Sequence, residues 1–333
     1  MKLYVRIILA VVCAVLVLSM PFVLSAPYML GEAQWQIMDE MMGEDAGLLS
    51  LLLPAARAEE EDTDDDVEII MEYSLPIDFT PGYKPNPTGY SDIGYEDDSI
   101  RVQMETMEVD GVIWRIAWVE VASPTQLRTA IAGKKLTAKT TARVSAMAEK
   151  NNAIVALSGD NFVDNPSATS FEYRMGDKLR NKSNKLRDIL IIDENGDFHT
   201  FIRSQGLNDF EGKIINAFTF GPALVQKGEL LTTDKNYKYN PNGREPRAAI
   251  GQLGTLNYVM VVAEGRGDSK GVTHQGLADF MYGLGCIEAY NLDGGGSAAM
   301  YYNGDYYNEL SSSERSLSDI IYFATAVPDG GDE

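Results

Sequence analysis

From residue 100 onward the chain carries the period-two pattern of half-buried strands. Ile100, Val102 and Met104 alternate with polar residues, Asp110-Gly111 supplies a turn, and residues 112–121 return as a second strand with Trp114, Ile116 and Trp118 on one face. Ser123-Pro124-Thr125-Gln126 predicts a helix start, with serine as cap, proline in the first position and glutamine closing a capping box. A second helical period covers residues 138–150 and ends at Asn151-Asn152, and residues 153–157 form a short, wholly apolar strand. Residues 188–192 and 198–202 flank Asn195-Gly196, a two-residue hairpin signal. Residues 218–225 contain Gly221-Pro222, which should break or bulge that strand. Residues 244–251 lead into a further strand, and residues 258–262 form another after the Gly254-Thr255 turn. Helix 273–284 is capped by Thr273 and puts Leu277, Phe280, Met281 and Leu284 on one stripe, with Gly285 at its end. The buried run 287–292 follows, then 298–302 pairing back through Asn303-Gly304, and a last strand at 317–325. This predicts an α+β protein of mixed, largely antiparallel sheets with about three helices and no internal repeat.

The first hundred residues read differently. Lys2 and Arg6 precede an uncharged run over residues 7–30, long enough to cross a bilayer, with the charge placed to keep the N-terminus in the cytoplasm. Residues 1–30 are thus a signal anchor or a signal peptide. Val23-Leu24-Ser25 offers small-residue cleavage chemistry, and residues 48–58 imitate a second signal-peptide end, but a single-pass anchor is preferred. Either choice makes the domain extracytoplasmic. Residues 31–98 read as an acidic stalk containing Pro76, Pro81, Pro85 and Pro87, residues 99–327 as the folded domain and 328–333 as a tail.

Across 333 residues the formal charge is −21, which repels nucleic acid. Much of it lies in the run Glu59-Glu60-Glu61-Asp62-Thr63-Asp64-Asp65-Asp66, a self-repelling spacer for which calcium binding is the alternative. No cofactor is expected, because no recognisable calcium site accompanies that run. Cys13 falls in the apolar segment and Cys286 just before the buried strand, so no intramolecular disulfide is expected and Cys286 should be a small buried hydrophobe.

The chemistry gathers around Asn291-Leu292-Asp293-Gly294-Gly295-Gly296-Ser297. Three glycines without Cβ atoms let backbone N–H groups approach an anion, and Asp293 stands at the exit of a strand. Ser158-Gly159-Asp160-Asn161-Phe162 leaves another buried strand abruptly and adds a second acid and an amide. Arg247 heads a strand, where its guanidinium would fork onto phosphate. Arg266 follows Glu264, for which a surface ion pair is the bland alternative. His274 opens a helix after a Gly-rich loop and is a candidate general acid, with a surface position the alternative, whereas His199 is expected to be structural. No Gly-x-x-x-x-Gly-Lys-Ser/Thr is present, Ser297 is not in a Gly-x-Ser-x-Gly elbow, and two scattered histidines do not build a His-rich zinc site.

Val261-Val262-Ala263-Glu264-Gly265-Arg266, the glycine-bounded stretch 271–285, and Ala289 through Ser297 together resemble the signature of the phosphodiester glycosidase family. Residues 156–162, Phe220-Gly221-Pro222-Ala223-Leu224-Val225 and Pro246-Arg247-Ala248-Ala249-Ile250-Gly251 fit the same pattern, so that the resemblance covers residues 95–327. It implies hydrolysis of a sugar 1-phosphodiester at its glycosidic bond, here in envelope glycopolymers or glycans. Asp293, Glu264, Asp160 and His274 would be catalytic, while Asn161, Arg247, Arg266, Thr273, Gly294, Gly295, Gly296 and Ser297 would bind substrate or phosphate. Two departures stand out: Ser158-Gly159-Asp160-Asn161-Phe162 replaces the family's usual Asn-Gly-Gly-Phe/Tyr-Phe loop, and Glu264 stands where aspartate is usual. A non-catalytic phosphate-sugar clamp and a transglycosylase are the alternatives.

Overall fold

The computed structural model of the chain describes residues 73–134, 139–160, 170–182 and 186–328. The apolar segment 7–30, Cys13, the acidic run 59–66, Asn161 and the extreme C-terminus lie outside the described residues. Among the described residues, no helix is long and apolar enough to cross a membrane.

Sheets dominate the fold, and every strand pairing among the described residues is antiparallel. The nine-stranded sheet has at its centre Ile100–Val109, Val112–Val121, Asn257–Ala263, Arg247–Gly254, Glu288–Leu292 and Ala223–Gln226, hydrogen-bonded in that order. Hairpin chemistry explains its first half: Asp110 and Gly111 both take positive φ, and the two long strands pair in unbroken register from Ile100↔Val121 to Val109↔Val112. The expected break at Gly221-Pro222 is present: one strand ends at Phe218, the next begins at Ala223, and its pairing with Glu288–Leu292 shifts register.

One face of this sheet is covered by helix α2 (His274–Gly283), which follows the shorter helix α1 (Val144–Lys150) in the chain. Leu277, Ala278 and Met281 of α2 are fully buried against Ile116, Ala249, Val259 and Val261, and Trp114 stacks on Phe280 at 3.6 Å. Burying the leucine and methionine contributes about 2 kcal/mol each, more than the propensity of a ten-residue helix containing two glycines supplies on its own. Cys286 is buried in the same layer, as expected.

The opposite face, through Val102, Val119, Met260, Val262, Ile250 and Leu292, packs on two five-stranded sheets. The first is centred on Ile214–Phe218 and includes Ile189–Asp193, whose hairpin partner Phe198–Phe201 turns at Gly196 with φ 82°. The second is centred on Val155–Ser158 and Asp319–Phe323, with α1 on its far side. His199 bonds Asp193 Oδ2 at 2.9 Å across the hairpin, in the structural role expected of it.

Three expectations are corrected. The capping box at Ser123 forms, with Gln126 Oε1 accepting from the Ser123 amide, but it opens only the 3₁₀ turn Pro124–Gln126. Leu127–Ile131 is a strand, because pairing with Asp319–Phe323 buries four of its five residues, a gain no isolated helix turn there could match. Two α-helices are therefore described rather than about three, and residues 142–143 precede α1 as a short strand. The sheets, expected to be mixed and largely antiparallel, pair only antiparallel among the described residues. Finally, residues 73–98 are built into the domain and do not continue the stalk. Leu75 and Tyr95 are buried, and the Arg128 guanidinium donates to the carbonyls of Pro76, Asp78 and Thr80. Pro76 lies in the stretch pinned by that buried arginine, and Pro87 opens a 3₁₀ turn over Pro87–Gly89.

Candidate active site

Asp293 leaves the end of Glu288–Leu292 and lines a cleft of about 390 Å³ whose polar wall includes Glu245, Arg247, Arg266 and Arg315 and whose apolar corner is Phe220 and Tyr239. The turn that carries Asp293 is fastened to its neighbours by backbone bonds. Asp293 donates its amide to Gly159 O at 3.0 Å, and its own carbonyl accepts from Ser158 Oγ at 3.0 Å. The two loops expected to carry chemistry, at 158–162 and 291–297, are thus joined directly.

Burial raises the Asp293 carboxyl to about 7. The Ser297 hydroxyl beside it pulls the other way, and the nearby Asp160 charge pushes up again. Arg315 acts to lower it and Asp319 to raise it. A carboxyl poised near neutrality in a cleft suits proton transfer or attack at neutral pH.

The glycine turn works differently from the expected anion nest. Gly295, with φ 59°, donates to Pro246 O at 2.7 Å, and Ser297 donates to Gly294 O at 3.0 Å, so two of the expected amides are engaged inside the turn. Gly294 and Gly295 instead allow close approach. A Cβ at Gly294 would lie 2.8 Å from Pro246 O, and one at Gly295 would lie 3.4 Å from Arg266 Nη2. Gly294, Gly295 and Gly296 do line the cleft.

Arg247 is also reassigned. Its five N–H donors meet Val272 O, Tyr239 O, His274 Nε2, Asn240 O and Gly243 O. Burial lowers it to about 10, so it remains charged at neutral pH, but no donor is left to fork onto phosphate. It lines the cleft by folding residues 239–243 around itself. Arg266, at φ 65°, reaches Glu245 Oε2 through Nε at 2.8 Å and through Nη2 at 2.7 Å. The exposed guanidinium of Arg315 enters no ion pair among the described residues.

The remaining expected residues lie elsewhere. Glu264 is 4% exposed and accepts from Arg115 Nε at 2.7 Å and from the Glu309 amide at 2.8 Å, away from the cleft lining. The Arg266–Glu264 surface pair, the bland alternative, does not form either: Arg266 pairs with Glu245 and Glu264 with Arg115. His274 is fully buried, and burial followed by the Arg247 charge pushes it down to about 3, which removes it as a general acid. The Thr273 hydroxyl accepts from the Gly276 amide at 3.0 Å as the cap of α2. Asp160 sits behind Asp293, where its Oδ2 accepts from the Thr219 amide at 2.7 Å and its amide donates to Asp319 Oδ1. Arg174 and Glu172 complete that buried cluster, and burial, followed by the Asp160 charge, drives the Glu172 carboxyl well above its ordinary range.

The sequence reading missed Glu245, Tyr239, Asn240, Ser312 and Arg315. Glu245 stands two residues before Arg247, and that spacing was a usable signal because alternate strand positions share a face. Arg315 follows Glu314, after three serines, in a loop with no periodicity, and nothing local marks it.

A zebrafish N-acetylglucosamine-1-phosphodiester alpha-N-acetylglucosaminidase catalytic domain, auto-inhibited by its pro-peptide, shares the fold with TM-score 0.55 and 19% identity, over 73% of this chain and 86% of that one. The SPbeta prophage-derived uncharacterized protein YomE of Bacillus subtilis strain 168 is 34% identical over 108 residues, which is 32% of this chain and only 17% of that protein's length. The family model for phosphodiester glycosidases matches residues 151–324, a span holding Asp160, Arg247, Arg266 and the whole turn around Asp293. The resemblance read from the strand-end motifs is therefore borne out: the chain belongs to the phosphodiester glycosidase family.

Proposed function

We propose that the domain hydrolyses the glycosidic bond of sugar 1-phosphodiesters in envelope glycopolymers or glycans, working outside the cytoplasm behind an N-terminal anchor. The observation that carries this reading is the Asp293 carboxyl, set at about 7 by burial and opening onto a cleft that also holds Arg266 and Arg315. Cleavage at the anomeric carbon builds oxocarbenium character there and charge on the departing phosphate. The ionised Asp293 answers the first as nucleophile or as base for a water, and the guanidinium charges answer the second. Phosphate leaves readily, so a strong proton donor is dispensable, in keeping with the neutral His274.

The test uses the full-length chain and a panel of sugar 1-phosphodiesters in ¹⁸O-labelled water. Free sugar carrying the label, together with a phosphomonoester, is expected. Release of sugar 1-phosphate, or label in phosphate, would mean P–O cleavage and defeat the mechanism. A binding-only clamp is the second reading, favoured by the ion pair that ties up Glu245 and leaves Asp293, which enters no ion pair among the described residues, as the other carboxyl of the cleft lining. Saturable binding of every diester with no turnover would select it.

A further inference from the structure

Glu245 is a carboxylate inside a wall otherwise suited to an anion. Its backbone is fixed on both sides, the amide donating to Val272 O at 3.2 Å and the carbonyl accepting from the Val272 amide at 3.0 Å. Oε2 accepts from Arg266, and Oε1 accepts from Asn240 Nδ2 at 3.0 Å. Its side chain is 22% exposed against 47% for Arg266, so the acid is the more deeply seated partner. Burial acts to raise this carboxyl, but the bonds from Arg266 and Asn240 outweigh it and hold it below the usual range, so it stays ionised.

With Asp293 ionised at pH 8, the lining carries three guanidinium charges, on Arg247, Arg266 and Arg315, against the two carboxylates of Glu245 and Asp293, which leaves one positive charge. Glu245 offsets Arg266, Arg247 has its donors engaged by the protein, and Arg315 is the guanidinium of the lining that enters no ion pair among the described residues. We propose that Glu245, held against Arg266 inside the cleft, makes the site select a singly charged phosphodiester over a doubly charged phosphomonoester and so favours release of the product; this rests on the hydrolase reading above. The reaction forms a bond from water oxygen to the anomeric carbon and breaks the carbon–oxygen bond to phosphate, whose oxygen keeps the electron pair. The water proton passes to Asp293 or to solvent. A diester carrying one charge thereby becomes a monoester carrying roughly −1.5 to −2 at pH 7, and the added charge arises opposite Glu245. Like-charge juxtaposition of this kind discriminates between ligands of the same shape.

The experiment compares binding of methyl phosphate and dimethyl phosphate to the full-length chain at pH 8, by NMR titration or calorimetry, in the wild type and in Glu245→Gln. Glutamine keeps the shape and an acceptor toward Arg266 while removing the charge. Methyl phosphate is expected to bind about fivefold more tightly to the variant, with dimethyl phosphate changed by less than about twofold. Equal weakening of both ligands would mean that Glu245 only props Arg266, and an unchanged ratio would equally overturn the proposal. Glu245→Ala, which sets no amide against Arg266, gives the same comparison should Glu245→Gln fail to fold. If the wild type turns over no sugar phosphodiester, the hydrolase reading fails by itself, and the ligand ratio still reports on Glu245.

Discussion

Arg247 donates through Nη1 to Nε2 of His274 at 2.8 Å, so the imidazole is the acceptor and carries its own proton on Nδ1. A ring held this way beside a permanent cation is neutral at working pH. Its value of about 3 against an ordinary 6.5 means that the unfolded chain takes up the proton first as pH falls. Stability should therefore drop between about pH 6.5 and pH 3, at up to about 1.4 kcal/mol per pH unit from this one group. The His274 ring resonances should stay still between pH 5 and 8, and His274→Gln should flatten the acid side of the stability profile in denaturant titrations. A His274 titration near pH 6 would return the residue to the list of acids.

Asp293 works with the opposite sign. Its carboxyl is raised to about 7 from an ordinary 3.8, so between those values the folded state holds a proton that the unfolded chain has lost. Stability from this group is complete below about pH 4 and lost as pH climbs through 7. Asp293→Asn removes the cost of ionising a buried acid, and should stabilise the protein by about 4 kcal/mol at pH 8 and by almost nothing at pH 4, while abolishing turnover. Denaturation midpoints at the two pH values decide it. Equal midpoints for wild type and variant at pH 8 would show that Asp293 pays no burial penalty.

Much of this was legible in the order of the residues, for local reasons. Asp110-Gly111 and the Thr273 cap encode their geometry within four residues and form as read, whereas the hairpin at Asn195-Gly196 forms with a three-residue loop, 194–196, in which only Gly196 takes positive φ. Ser123 through Gln126 encodes a helix start as clearly, yet Leu127–Ile131 is claimed by a partner strand nearly two hundred residues away. Local grammar cannot register such long-range pairing. The same limit governs the cleft. Arg247 and Glu264 look available in sequence because their partners, residues 239–243 and Arg115, are distant or irregular. Arg128 and Arg247 make a common point: an arginine with all its donors engaged by carbonyls and neighbouring side chains folds a stretch of chain that has no periodicity of its own.

Arg315 and Arg266 differ in commitment, and their variants should differ accordingly. Arg315 enters no ion pair among the described residues and acts to lower Asp293, so Arg315→Ala should cut kcat/KM by about 10- to 100-fold and move the pH-rate limb of Asp293 above 7. Arg266 is already paired with Glu245. Arg266→Ala should weaken substrate binding through KM and leave that limb where it is. A full pH–rate profile of each variant is the measurement; identical limbs would show that Arg315 does not feel Asp293.

Gly294 and Gly295 are neighbours whose replacement by alanine should have unequal consequences. At Gly295 the left-handed φ of 59° is the difficulty, and the new methyl would meet only the end of the flexible Arg266 side chain at 3.4 Å. A strain of about 1–2 kcal/mol is expected there, with turnover retained within about tenfold because Arg266 can yield. Gly294 has an ordinary φ of −116°, but its methyl would press on Pro246 O at 2.8 Å and on Arg247 Cα at 3.3 Å. Both are backbone atoms, and Pro246 O already accepts from Gly295. Gly294→Ala must push the Asp293 turn away from the strand bearing Arg247, costing about 2–3 kcal/mol and widening the cleft in which Asp293 acts. Denaturant midpoints and kcat/KM measured side by side should rank Gly294→Ala as the more damaging of the two. A Gly294→Ala protein as stable and as active as Gly295→Ala would mean that the close approach of these two segments is not what positions Asp293.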